Sequence, residues 1–295
     1  MDTLNHIYNM ILVDLSQIMM ASTMMSMEKG QTEADVDFVR HSVLNSLRMY
    51  RASYFEEYGE LVICCDAPNS WRKEYFPLYK AGRRTGRESS PLNWSQIFDC
   101  FTTIKTELKT IFPYKFIQVD TAEADDIIGV LCRYSSQVKE KVLIVSSDKD
   151  FIQLHRFTNV KQYSPITKKF INGIDPYEYL TEHILKGDTS DGVPNVLSPD
   201  NTFVDGLRQK PVGKKKIAEW TGNILIPAEM ALPNEEARRN FQRNEKLIDL
   251  SKSPEDIFMS CLDAYKEAPD GDRSKLLNYF IEKRLSNLTE SIGDF

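Results

Sequence analysis

The segment spanning residues 116–151, FIQVDTAEADDIIGVLCRYSSQVKEKVLIVSSDKDF, decides the fold. Two short apolar runs of strand character, FIQVD and VLIVSS, flank IIGVLCRY, which has helical character. The spacing predicts a strand–helix–strand unit. The first strand leads into Glu123, Asp125 and Asp126, and the second into Asp148 and Asp150. In an open parallel sheet the carboxyl ends of the strands are where ligands bind.

Carboxylates gathered there repel, each like-charged pair at contact costing about 4 kcal/mol at an effective dielectric of 20. Protonation offsets this at low pH. At neutral pH hard divalent cations with oxygen ligands, Mg²⁺ or Mn²⁺, do so. For Glu123 to Asp126 alone a second reading has equal weight, because acids favour the first turn of a helix, where the macrodipole stabilises them. The second cluster favours the metal.

The N-terminal third repeats the pattern. Residues 8–14, YNMILVD, read as a buried strand ending in Asp14, and ELVICCD as another ending in Asp66. Between them, residues 36–50 place Val36, Val39, Val43, Leu44 and Leu47 on one face of a packing helix. Apolar runs that end in or just before Asp14, Asp66, Asp120 and Asp148 imply a shared acidic edge. Asp120 is set aside as a strand-end residue.

The chain has 295 residues, 41% hydrophobic and 27% charged, which suits an ordered globular protein of about two domains. Its five cysteines fit no zinc spacing and read as reduced core residues. The start of the chain has no basic leader, and no apolar run approaches the ~18 residues of a membrane helix, so a cytoplasmic location without membrane contact is expected. The net charge of −6 argues mildly against a nucleic-acid partner, but the charge is unevenly distributed.

Residues 71–87 carry six Lys or Arg against one acid, with Trp71, Tyr75, Phe76 and Tyr79 interleaved. Cations for phosphates and rings for bases suit nucleic acid, with Arg72, Lys73, Arg84 and Arg87 as contacts; the alternative is a solvated charged loop. Pro77 is expected to open a helix that puts Lys80, Arg83 and Arg84 on one face, weakened by Gly82. Residues 94–112 form a packing helix with Ile97, Phe101, Ile104, Leu108 and Ile111 on its stripe. His155 reads as structural. A Gly-rich turn, ILKGDTSDGVPNV, brings Asp188 and Asp191. Downstream, Arg208, Lys210, Lys214, Lys215 and Lys216 surround Gly213 at a helix start that can present N–H groups to a phosphate, or can simply lie in solvent. From 234 onward the pattern is helical, with Ser253 as N-cap, Pro254 at the first helical position, and Leu276, Leu277, Phe280, Ile281, Leu285 and Leu288 on one apolar face.

Taken together, VDLSQ, CCDAPNSWRKEYFPLYKAGRR, AEADD, SSDKDF, KGDTSDGVPNV, NEKLIDL and LSNLTESIGDF resemble the flap-endonuclease, or structure-specific 5′-nuclease, family nearly end to end, most closely its T-even-phage ribonuclease H branch. The resemblance implies an α/β fold: a central, mostly parallel, PIN-like sheet flanked by helices, with a helical arch and a smaller C-terminal helical region. The implied division is 1–183 for the nuclease domain, with the arch at about 71–92, and 184–295 for the helical, DNA-gripping part. Asp14, Asp66, Glu123, Asp125, Asp148 and Asp150 match family metal ligands, with Asp126 beside them and Asp188 and Asp191 matching the GDxxD acids. Lys80 and Arg83 match the arch residues that meet the scissile phosphate, and with Asp125 and Asp148 they are the expected catalytic set. The family's Gly-x-Gly turn is replaced by PVG after an insertion, LSPDNTFVDGLRQK.

The implied function is a 5′–3′ exonuclease and flap endonuclease using two Mg²⁺ ions about 3.5–4 Å apart, with Mn²⁺ as substitute. It would act on RNA–DNA hybrids and DNA duplexes with 5′ ends or flaps, removing lagging-strand RNA primers in the cytoplasm of a phage-infected cell. The implied protein is a monomer, with a phage single-stranded-DNA-binding protein and a sliding clamp as candidate partners. Two alternatives are a PIN-type nuclease of single-stranded RNA and a non-catalytic factor that binds branched DNA.

Overall fold

The structure, a computed structural model, describes residues 9–28, 30–223, 225–269 and 271–295. Tyr8, the first residue of the expected opening strand, lies outside them. Six strands form one sheet in the order β3-β2-β1-β4-β5-β6: β1 (Met10–Asp14), β2 (Glu60–Cys64), β3 (Lys115–Ile117), β4 (Val142–Val145), β5 (Val160–Ser164) and β6 (Lys169–Phe170). All pair in parallel except β6, which runs antiparallel to β5.

The alternation of side chains explains why the central strands are apolar throughout. Ile11, Val13, Leu61, Ile63, Leu143 and Val145 face one core, while Met10, Leu12, Val62, Cys64, Val142 and Ile144 face the other. The first core is covered by helices α1 (Leu15–Ser26) and α2 (Val36–Tyr58). After β2 come two short helices, α3 (Trp71–Tyr75) and α4 (Gly82–Glu88), then α5 (Trp94–Ile111), which packs Ile97, Phe101, Ile104 and Leu108 into the same core. The opposite core is covered by α6 (Ala124–Val138).

A third core joins Phe76 and Tyr79 to α7 (Pro176–Lys186), α8 (Lys214–Thr221) and α9 (Glu235–Ile248). The last helices do not extend it. α10 (Glu255–Glu267) packs Ile257, Cys261 and Leu262 against α6, while α11 (Leu276–Glu282), α12 (Ser286–Thr289) and Phe295 return to the first core.

Several local expectations change. The helix expected to start at Pro77 does not form: Phe76 is extended, as residues before proline favour, and the Lys80 amide donates to Asp191 O at 2.7 Å instead of to its own turn. Lys80 takes φ 56°, and Gly82 opens α4. Ser253 does not cap α10, because its hydroxyl donates to Asp126 Oδ1 at 2.7 Å. α11 stops after seven residues, leaving Leu277 and Ile281 of the expected apolar face exposed. The predicted α2 runs eight residues further, to Tyr58.

Candidate active site

Because β1, β2 and β4 run in register, their carboxyl ends deliver acids to one edge. Asp14 ends β1 and caps α1, accepting from Gln17 N at 3.2 Å and from Ser146 Oγ, beyond β4, at 3.3 Å. Asp66, two residues past β2, accepts from Ser16 Oγ at 2.5 Å and from the Ala124 amide of α6 at 2.8 Å. Glu123 is the N-cap of α6, and Asp125 lies in its first turn. Asp148 caps the 3₁₀ turn Lys149–Arg156 and accepts from Asp150 N at 2.9 Å. Asp120 is exposed and accepts from the next amide, away from this set.

The electrostatics express the crowding. Burial, then Asp66, pushes the Asp14 carboxyl up to about 7, and burial, then Asp148, does the same at Asp150. Asp125 is held well above the usual range by burial and by Asp14, Asp148 and Glu123. Its half-buried carboxylate accepts no hydrogen bond from the described residues, which leaves both oxygens free for a cation. An all-oxygen donor set under mutual repulsion, with one carboxylate unpartnered, fits hard divalent ions. Asp14, Asp66, Glu123, Asp125, Asp148 and Asp150 can hold them at the sheet edge, and Asp188 and Asp191 stand beside these on the turn after α7.

Cations close the mouth. Lys80 Nζ lies 2.5 Å from Glu123 Oε1 and 3.5 Å from Asp191 Oδ2, and Arg83 lies 2.6 Å from Asp191 Oδ1. Burial disfavours the Lys80 charge, yet Asp191 and Glu123 outweigh it and keep the group above its ordinary pKa. The Tyr79 hydroxyl lies 2.9 Å from Glu123 and 2.7 Å from Asp191, so it ties the acids of two segments together. Gly187 makes the Asp188 turn possible, since at φ 67° a Cβ would meet Val193 O at 2.4 Å.

Two expected site residues are corrected. Arg72 is 2% exposed and Asp126 fully buried, and they pair with each other at 2.8 and 2.9 Å. Asp126 also accepts from Trp71 Nε1, Ser253 Oγ and the Glu123 amide, so nothing is left for a metal. Burial alone would raise its carboxyl; Arg72 lowers it below the usual range. Arg72 donates further to Glu123 Oε2 and Leu247 O, out of reach of a phosphate. The other basic residues are exposed: Lys73, Arg84 beside Glu88, Arg87 over the rings of Trp94 and Phe98, then Arg208, Lys210, Lys214, Lys215 and Lys216.

His155 is structural, set against Gln162 at 3.1 Å. The histidine beside the acids is His183, 3.5 Å from Asp150 and 3.6 Å from Asp188, and sequence reasoning passed over it; Tyr79, expected with Trp71, Tyr75 and Phe76 as a ring for bases, is buried, as are Trp71 and Phe76, and only Tyr75 is exposed. The role of Tyr79 between the acids is signalled only by its adjacency to Lys80, and that of His183 only by its place on the helix leading into the Asp188 turn.

Stability of the metal-free protein should depend on pH. Asp14 and Asp150 bind protons more tightly folded than unfolded, so their contribution is full below 3.8 and is lost as pH rises through about 7. Asp188 and Asp126 are shifted the opposite way and act below that window. In chelator the melting temperature should therefore be lower at pH 8 than at pH 5.5, and added Mg²⁺ should remove most of the difference. Equal melting temperatures in chelator would show that the acids are not crowded.

Comparison with known proteins accords with this geometry. Residues 9–183 match the family model "5′-3′ exonuclease, N-terminal resolvase-like domain", and residues 177–295 match "T4 RNase H, C terminal". Ribonuclease H of Enterobacteria phage T4 is 34% identical over 293 residues, 96% of this chain and 95% of that protein. Flap endonuclease Xni of Shewanella sp. (strain MR-4) is 29% identical over 135 residues, 43% of this chain and 48% of that protein. The bacteriophage T5 flap endonuclease, solved as a pseudo-enzyme-product complex with DNA and metal ions, superposes with TM-score 0.64 at 17% identity, covering 88% of this chain and 100% of that one. At that identity the superposition speaks for the fold. No helix among the described residues is long and apolar enough to cross a membrane. The chain belongs to the 5′–3′ exonuclease family, and its C-terminal part is of the phage T4 RNase H type.

Proposed function

We propose that the protein is a metal-dependent phosphodiesterase that cuts from free 5′ ends of RNA–DNA hybrids and DNA duplexes, flaps included, and removes RNA primers during phage DNA replication in the infected cell. The proposed cofactor is a pair of Mg²⁺ ions, with Mn²⁺ as substitute, and the candidate partners are a phage single-stranded-DNA-binding protein and a sliding clamp. One observation carries the reading: acids from three strand ends and the first turn of α6 crowd one edge, while Lys80 rests on Glu123 and Arg83 on the neighbouring Asp191. Divalent ions bound there supply Lewis-acid polarisation and lower the pKa of water.

The chain's own groups do the rest. Asp14, Asp66, Glu123, Asp125, Asp148 and Asp150 orient the ions, and Tyr79 holds Glu123 against the Asp191 turn. Lys80 and Arg83 already rest on carboxylates, so an arriving phosphate takes over as their anionic partner and receives a preorganised positive charge. The exposed Lys214, Lys215 and Lys216 lie at the start of α8 and suit duplex phosphates.

Single-turnover cleavage of 5′-labelled hybrid, duplex and flap substrates, with and without Mg²⁺, tests the activity. Lys80→Ala should lower the saturated rate by about 10²-fold and barely change affinity measured in Ca²⁺. Replacing Lys214, Lys215 and Lys216 by Ala should do the reverse, weakening affinity and reducing the salt slope by roughly one per lost contact. If Lys80→Ala binds poorly but cuts at full rate once saturated, the segment is a binding surface only.

A further inference from the structure

We infer that His183 is a nitrogen ligand that makes the outer metal position of this site, at Asp150 and Asp188, favour a first-row transition ion such as Mn²⁺ over Mg²⁺. The inference rests on the nuclease reading of the acidic edge and deepens it. Asp150, His183 and Asp188 offer one ligand atom each, all within 4.8 Å of one another. Neighbouring ligands on a six-coordinate ion with bonds near 2.1 Å stand about 3.0 Å apart and opposite ones about 4.2 Å, so the three side chains would draw together around the ion.

The second observation is an unsatisfied atom. His183 Nε2 is shut off from solvent, and it has no hydrogen-bond partner among the described residues. It faces Asp188 Oδ2 at 3.6 Å, too far for a hydrogen bond. On Asp188 the other oxygen, Oδ1, is engaged by the Ser190 amide and hydroxyl, both at 2.7 Å, and by the Asp191 amide at 3.2 Å. Oδ2 is thus the oxygen turned toward the ring. The other ring nitrogen, Nδ1, lies 3.5 Å from Asp150 Oδ1. Buried polar groups ordinarily find partners, and an imidazole within ion-pair distance of two carboxylates but hydrogen-bonded to neither, with one ligand atom of each group inside 4.8 Å, leaves room for a cation that all three share.

Helix α7 fixes the ring. Tyr179 packs edge-on to His183 at 5.8 Å, one turn earlier, and the side chain is only 15% exposed. Imidazole adds little for Mg²⁺, which prefers oxygen, and more for the later first-row ions, so one nitrogen in an oxygen set shifts selectivity more than total affinity.

Pulsed electron paramagnetic resonance of the Mn²⁺-loaded protein reads the ligand directly. The wild type should show ¹⁴N coupling from a bound imidazole, and His183→Gln, which keeps a polar side chain but offers oxygen, should lose it. Calorimetric titration with each metal should show the Mn²⁺ to Mg²⁺ affinity ratio falling by about tenfold in His183→Gln, mainly through Mn²⁺. If Mn²⁺ binds the wild type without nitrogen coupling, or the ratio is unchanged in the variant, this inference fails while the metal-dependent reading stands. If neither ion binds, both fail.

Discussion

Asp125→Asn should abolish cleavage while leaving the fold and DNA binding intact. The carboxylate accepts no hydrogen bond from the described residues, so the amide forfeits no structural contact. What it removes is a negative charge in a set whose members raise one another's pKa, with burial first and Asp14 and Asp148 next. Loss of about 4 kcal/mol of transition-state stabilisation corresponds to about 10³-fold in rate, and a metal ligand contributes on that scale. Asp148→Asn should behave alike, since its remaining oxygen can still accept from the Asp150 amide. In chelator both variants should melt at or above the wild-type temperature, because repulsion is relieved. Near wild-type cleavage by Asp125→Asn would sink the metal assignment; a lower melting temperature in chelator would mark the acid as structural.

The parts of the fold that local pattern determines were legible in the sequence. Runs such as MILVD and VLIV have few ways to bury both faces other than as central parallel strands, and the acids that follow them then share an edge. Pairings across long separations were not. Arg72 lies in a basic, aromatic segment and Asp126 in an acidic one, so each reads locally as a ligand contact; only the packing of α3 on α6 makes them partners, 54 residues apart. The same holds for His183, whose meaning depends on the 3₁₀ turn carrying Asp150 reaching α7. The turn at Lys80 escaped for another reason. Pro77 is compatible with a helix start, and the competing bond is donated by the Lys80 amide to Asp191 O, on a residue no local pattern connects to it.

The buried pair also predicts the largest loss of stability. Arg72→Ala should destabilise the protein by about 3–5 kcal/mol, because removing one partner of a buried pair leaves the other charge uncompensated. Asp126 would keep only its bonds from Trp71, Ser253 and the Glu123 amide, and Leu247 O would lose its donor. The Asp126 carboxyl, now held below the usual range chiefly by Arg72 against the effect of burial, would shift upward. In a double-mutant cycle with Asp126→Asn, the combined loss in urea unfolding should be smaller than the sum of the single losses, since both remove the same interaction. The effect reaches the active site through the N-cap of α6, where Arg72 also holds Glu123 Oε2 at 3.1 Å. Affinity of the folded fraction for duplex DNA should nevertheless stay close to wild type, with the same salt slope, because a residue 2% exposed meets no phosphate. Normal stability combined with weakened, less salt-dependent binding would return Arg72 to the nucleic-acid surface and leave Asp126 free to act as a ligand.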